Sequence, residues 1–164
     1  MLGKKVEDAL NAQMNREFYS SYLYLSMSTH FESNSLKGLA HWLRIQAKEE
    51  LAHGMKFYDY MVQRGARPAL RQIDAPTSKW KTYAAVFEDA YKHEQKVTKF
   101  ISELVDLARA EVDHATEVFL QWFVNEQVEE EMNASDIENK MKLAGDSWAA
   151  LLVLDSELGK RPSK

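Results

Sequence analysis

The sequence contains no cysteine. Disulfides and thiolate metal sites are therefore excluded, and any metal ion must be held by oxygen and nitrogen ligands from Asp, Glu and His. Glycine and proline are scarce, 6 and 3 in 164 residues, which disfavours strand-and-turn architecture and favours long uninterrupted helices. Long apolar runs are missing too. The run Ala149 to Leu154 is far too short to cross a bilayer, so no membrane partner is expected. Lys4 and Lys5 are followed by Glu7, Asp8, Asn11 and Gln13, where a secretory leader needs an apolar core, so a cytoplasmic location is the expectation. There is no basic excess. The formal net charge of −4 argues against nucleic acid as the main partner.

What is present is a chain that is 45% hydrophobic, enough to exclude disorder and to build one domain over residues 1–164 with a sizeable core. Apolar residues recur at helical spacing in four long segments. Their expected spans are about 4–32, 36–64, 78–110 and 114–143, with a short fifth helix over about 147–158. Ser35, Asp113 and Asp146 stand where helix N-caps are needed, and Gly65 and Gly145 stand where helices should end. The connector from about Gly65 to Thr77, with Pro68 and Pro76, can reach roughly 43 Å at about 3.3 Å per residue. A 28-residue helix is about 42 Å long. The connector can thus return along the whole bundle and make the second and third helices parallel. The expected fold is an all-α four-helix bundle with one long crossover connection and a short fifth helix.

Each core stripe is apolar except near its middle. In the first helix Leu10 and Met14 precede Glu17, and in the second Leu43 and Ala47 precede Glu50. In the third Phe87 and Ala90 precede Glu94, and in the fourth Leu120 and Phe123 lead to Gln127 and Glu130. A single glutamate on a helix is ordinarily a solvated group, and a single histidine is ordinarily a hydrogen-bonded structural residue. Here position argues otherwise. The first turn is near residue 33 or 34, so Glu17 lies about 16 residues before it and Glu50 about 16 after it. The second turn is near residue 112, with Glu94 18 before and Glu130 18 after. In antiparallel pairs equal distances from a turn mean equal heights, so all four acids share one level of the core. Four carboxylates there would repel one another and lose hydration, and a bound cation relieves both. Without metal, neutralising one of them, as in Glu94→Gln, is expected to leave stability unchanged or raised.

The halves repeat. Glu17 to Glu50 is 33 residues and His53 follows three later; Glu94 to Gln127 is also 33 and Glu130 follows three later. Di-iron carboxylate bundles use one Glu from each of two helices and Glu-x-x-His from the other two. The first half fits that pattern, and the second carries Gln-x-x-Glu. His30, His41, His93 and His114 offer no spacing that suggests a site.

On these residues, and on the stretches Asn15-Arg16-Glu17-Phe18-Tyr19-Ser20-Ser21-Tyr22-Leu23-Tyr24, Glu49-Glu50-Leu51-Ala52-His53, Phe119-Leu120-Gln121-Trp122-Phe123 and Glu126-Gln127-Val128-Glu129-Glu130-Glu131, the chain resembles the prokaryotic non-haem ferritins over nearly its whole length. The resemblance implies an iron-storage protein with ferroxidase activity. Glu17, Glu50 and His53 would hold a first iron, with Glu50 bridging to a second held by Glu94 and Glu130. Gln127 would sit beside it as a hydrogen-bonding neighbour. A weaker third iron position would map to Glu49, Glu126, Glu129 and Glu130, and Tyr24 would lie by the site as a possible electron donor. The resemblance further implies Fe(II) with O2 or H2O2 as reactants and a homo-oligomeric cage, expected to have 24 subunits. Haem is not expected, because no Met stands at Leu51-Ala52, the place of the haem ligand in bacterioferritins. A metal-free helical bundle is the alternative; it requires buried Lys or Arg partners for the core acids, and the stripes carry none.

Overall fold

The structure, a computed structural model, describes residues 1–162. It has five helices: α1 (Lys4–Glu32), α2 (Lys37–Gln63), α3 (Tyr83–Ala110), α4 (His114–Ala144) and α5 (Trp148–Leu158). Among the described residues there is no strand. Side-chain pairs give the directions. Ser28 and Ser21 of α1 donate to the carbonyls of Ala40 and Ala47 of α2, so these helices are antiparallel. Phe31 meets Phe87, Ser20 meets His93 and Arg16 covers Phe100, so α3 also runs against α1. Gln46 meets Glu130, Phe57 stacks on Phe123 and Tyr60 meets Thr116, so α4 runs against α2. It follows that α2 and α3 are parallel, as the single-crossover topology requires.

The connector explains how. Asn11 bonds both the N–H and the carbonyl of Ala69, Asn15 accepts from the N–H of Arg71, and Ser26 donates to the carbonyl of Thr77. The chain thus runs along the flank of α1 from one end of the bundle toward the other. It stays irregular further than the spacing suggests: α3 begins at Tyr83 rather than near Ser78, because the Thr82 hydroxyl caps it by accepting from the Ala85 N–H.

Two other helix starts differ from the expected ones. Ser35 does not cap α2. Its φ is 62°, it lies in the turn, and the N-cap position falls to Leu36, which has no capping side chain. The cap comes instead from α5, where Asp155 Oδ1 accepts from the N–H groups of Gly38 and Leu39 at 2.8 and 2.9 Å. Gly38 makes that approach possible, since a Cβ there would lie 1.7 Å from the Asp155 carbonyl oxygen. Likewise Ser147, not Asp146, caps α5 by accepting from Ala150 N–H. Asp113 caps α4 as its position suggested, accepting from Thr116 N–H. Of the apolar residues of α5, Leu151, Leu154 and Leu158 are buried within the subunit, whereas Trp148, Leu152 and Val153 face outward.

The core is interrupted. One apolar cluster contains Tyr24, Phe31, Leu39, Phe87 and Ile137, and a second contains Leu10, Met14, Phe57, Ile101 and Phe123. Burying each such side chain contributes about 1.5–3 kcal/mol. Between the two clusters lies a layer of buried polar residues: Gln13, Glu17, Gln46, Glu50, His53, Glu94, Gln127 and Glu130.

Candidate metal centre

The layer is where the four stripes place their acids. Glu17, Glu50, Glu94 and Glu130 are each no more than 4% exposed, so none of them has the water that a carboxylate normally relies on. Glu17, Glu50 and His53 each direct a ligand-capable atom into one space, all within 4.8 Å of one another. His53, Glu126 and Glu130 form a second such group that shares the imidazole. His53 Nδ1 lies 3.3 Å from Glu50 Oε2, and Nε2 lies 3.9 Å from Glu126 Oε1. The ring is held edge-on by Trp122 and Phe123, at centroid distances of 5.3 and 6.1 Å. Gly54, next in sequence, lets α1 press close: a Cβ there would lie 2.4 Å from the Phe18 ring.

Neutral donors surround the acids. Gln13 Nε2 donates to Glu17 Oε1 at 2.7 Å. Gln46 Nε2 donates to Glu130 Oε2 at 2.7 Å and to Glu50 Oε1 at 3.2 Å, tying α2 to α4. Glu94 accepts from the Tyr24 hydroxyl and, at 3.1 Å, from Gln127 Nε2. Glu94 thus carries two hydrogen bonds that weigh against the expectation that Glu94→Gln leaves the metal-free protein as stable or more so. Gln13 and Gln46 are further members of the layer, not among the residues the core stripes single out. Their signal was present, since each stands four residues before a core glutamate, on the same helix face.

Donors do not replace hydration. Burial, with the charge of Glu50 second, pushes the Glu17 carboxyl up to about 8. Burial is also the largest cause at Glu94 and Glu130, each raised to about 7. Glu50 is raised well above its ordinary value by burial and then by Glu94 and Glu130. Tyr24 is pushed up in the same way, so its phenol keeps its proton and donates it to Glu94. One atom is left over. Glu17 Oε2 is buried and, among the described residues, no amide, hydroxyl or backbone N–H donates to it, while the Glu17 and Glu50 carboxyls stand close enough to share a proton. A hard divalent cation fits this set: oxygen donors with one imidazole, a buried carboxylate oxygen that no such donor reaches, and protons that a cation displaces.

The remaining candidates fall around this centre. Tyr24 is buried on Glu94. Gln127 is buried and spends its amide on Glu94 and, at 3.4 Å, on Thr98 Oγ1. Glu126 is half-buried beside His53. Glu49 is half-buried but turns to Arg161, with which it forms an ion pair, and Glu129 is exposed; neither belongs to the two ligand groups.

Comparison with known proteins bears on this arrangement. The model of the ferritin-like domain matches residues 7–144. A bacterial non-heme ferritin from Bacteroides fragilis is 44% identical over 161 residues, covering 98% of this chain and 100% of that protein. One from Staphylococcus aureus is 38% identical over 161 residues, covering 98% and 97%. Among solved structures, an open pore ferritin from the hyperthermophilic archaeon Archaeoglobus fulgidus superposes with a TM-score of 0.97 at 49% identity, covering 99% of this chain and 100% of that one.

Proposed function

The chain belongs to the ferritin family, and we propose that it takes up ferrous iron at the buried carboxylate layer, oxidises it there and stores the product inside a shell of its own subunits. Iron storage and ferroxidase activity are what the family as a whole does. Glu17, Glu50 and His53 take one ferrous ion. Glu50 bridges to a second, taken by Glu94 and Glu130. Gln127 orients Glu94, as its hydrogen bond suggests. Glu126 lines a third, weaker position together with Glu130, and Glu49 and Glu129 join it only if they move. The observation that carries this is the buried Glu17, Glu50 and His53 group, in which one ligand-capable atom of each side chain lies within 4.8 Å of the others.

Charge supports it. Four ionised carboxylates balance two ferrous ions, so loading neutralises a layer that is costly without metal. Two ferrous ions give up two electrons, which with two protons reduce dioxygen to hydrogen peroxide or hydrogen peroxide to two waters. The carboxyl protons displaced by iron are released in the same layer. With a ferrous ion at the third position as well, three ferrous ions and Tyr24 together supply four electrons, which with four protons reduce dioxygen to two waters, and the phenol proton leaves along the hydrogen bond to Glu94. A shell of 24 subunits gives the mineral its container, and the outward Trp148, Leu152 and Val153 of α5 are apolar surface that such packing would cover.

Oxygen or peroxide consumption on adding Fe2+ to the assembled protein tests the assignment. His53→Ala removes one nitrogen ligand while helix propensity improves. The initial rate should fall by at least about tenfold while the helical circular dichroism stays unchanged. A wild-type rate would overturn the assignment.

A further inference from the structure

Two arginines stand behind the glutamines of the layer. Arg16 Nη1 donates to Gln13 Oε1 at 3.2 Å, and Gln13 donates to Glu17. Arg161 Nη1 donates to Gln46 Oε1 at 3.0 Å, and Gln46 donates to Glu130 and Glu50. Both guanidinium groups lie over aromatic rings, 3.8 Å from the Phe100 centroid and 4.5 Å from that of Trp42. Such stacking fixes the plane of the fork. Arg161 differs in holding a carboxylate as well. Its Nη2 donates to Glu49 Oε2, and the two side chains are only 18% and 16% exposed. Arg161 is itself anchored after the end of α5: its carbonyl oxygen lies 2.9 Å from His41 Nε2, and its N–H bonds the Leu158 carbonyl.

We propose that Arg161 is a positioning residue and latch for the metal centre, fixing the Gln46 amide against Glu50 and Glu130 with one arm and withholding Glu49 from the neighbouring His53, Glu126 and Glu130 group with the other. The proposal rests on the third metal position put forward above. A guanidinium only donates, so the Gln46 oxygen must face Arg161 and its NH2 group must face Glu50 and Glu130. That orientation presents both amide protons to the bridging and terminal carboxylates. Glu49 lines the same cavity as His53 and Glu126 but lies outside the second ligand group. For Glu49 to ligate a cation it must leave a mostly buried ion pair, and the freed guanidinium charge then repels that cation. Arg161 therefore keeps the third position weak, so that an ion there is in transit rather than retained.

The experiment is a calorimetric titration of the assembled, iron-free protein with Zn2+, which is redox-inert, comparing wild type with Arg161→Ala, Arg161→Lys and Arg161→Ala/Glu49→Gln. Arg161→Ala should bind its third ion about tenfold more tightly, the effect expected for releasing a mostly buried charged partner. Glu49→Gln on that background should abolish the gain, which a general loosening of the fold would not do. Lysine offers one compact donor group instead of a fork, so Arg161→Lys should fall between; it decides the matter if Arg161→Ala does not assemble. A third ion bound equally or more weakly in the Arg161 variants overturns the latch while leaving the third position standing. Two ions and no third in every variant overturns both.

Discussion

At the scale of single residues, the layer is a compromise between burying acids and holding them in place, and Glu94 displays it. Its carboxyl is raised to about 7, above the ordinary value of 4.5, chiefly by burial. A group whose folded value is raised contributes stability that is full below its unfolded value and is lost as pH rises through the folded one. Glu94→Gln removes that pH-dependent loss, but it also replaces one of the two acceptor oxygens by an NH2 group, which then faces one of the donors Tyr24 and Gln127, at a cost of about 1 kcal/mol or more. In the metal-free protein the variant should therefore be less stable than wild type at pH 6, where Glu94 is largely protonated. The deficit should shrink or reverse by pH 8. Thermal melts of protein shown to have the same oligomeric state check this; a deficit that grows with pH would contradict it. The position of the four acids was legible in the sequence because stripe and distance from the turns fix height in an antiparallel bundle. The hydrogen-bond partners were less so. Gln13 and Gln46 carried an i, i+4 signal, but the pairing of Tyr24 and Gln127 with Glu94 across helices depends on packing that no local pattern encodes.

At the scale of elements, the helices follow from periodicity, while some of their ends do not. Asp113 caps α4 from within its own turn, so the sequence reveals it. The cap of α2 comes from Asp155, on the other side of three helices in the chain, and no sequence window contains both. Ser35 looked suitable by type, but its φ of 62° takes it out of cap geometry. Asp155→Ala should cost about 1 kcal/mol, the usual value of a lost cap, or roughly 2–4 °C in melting temperature for a domain of this size. Gly38→Ala should be worse, since its Cβ would collide with the Asp155 carbonyl and lift α5 from α2. Differential scanning calorimetry of both variants measures the order; equal stability of Gly38→Ala and wild type would mean that α5 does not seat on α2. The same seating carries Arg161 to Gln46 and Glu49, so these variants should also alter Zn2+ binding at a distance.

At the scale of the whole molecule, the bundle has an apolar half at each end and a charged waist, and pH and metal act on the waist together. Between about pH 6.5 and 8, Glu17, at about 8, and Glu94 and Glu130, at about 7, deprotonate in the folded state, whereas in the unfolded chain they are already ionised. Folded values are raised, so stability present at low pH is lost across this window, and the melting temperature of the metal-free protein should fall. His93, buried and pushed down to about 4, is neutral in the folded state, and because it titrates near 6.5 when unfolded it opposes the trend only at the low end of the window. Added Zn2+ should reverse it, with an increment that grows toward pH 8 as fewer protons must be displaced; a constant increment would place the ion outside the layer. Assembly should be evident as a species far larger than 18.9 kDa on size exclusion, and a monomer at all salt concentrations would refute the cage. The most direct measurement is anomalous diffraction at the iron edge from crystals of the protein soaked anaerobically in Fe2+. The expected result is two iron peaks per subunit inside the layer, one against Glu17, Glu50 and His53 and one against Glu50, Glu94 and Glu130. Iron found at the surface with the layer empty would contradict the assignment of this layer as the site of iron oxidation.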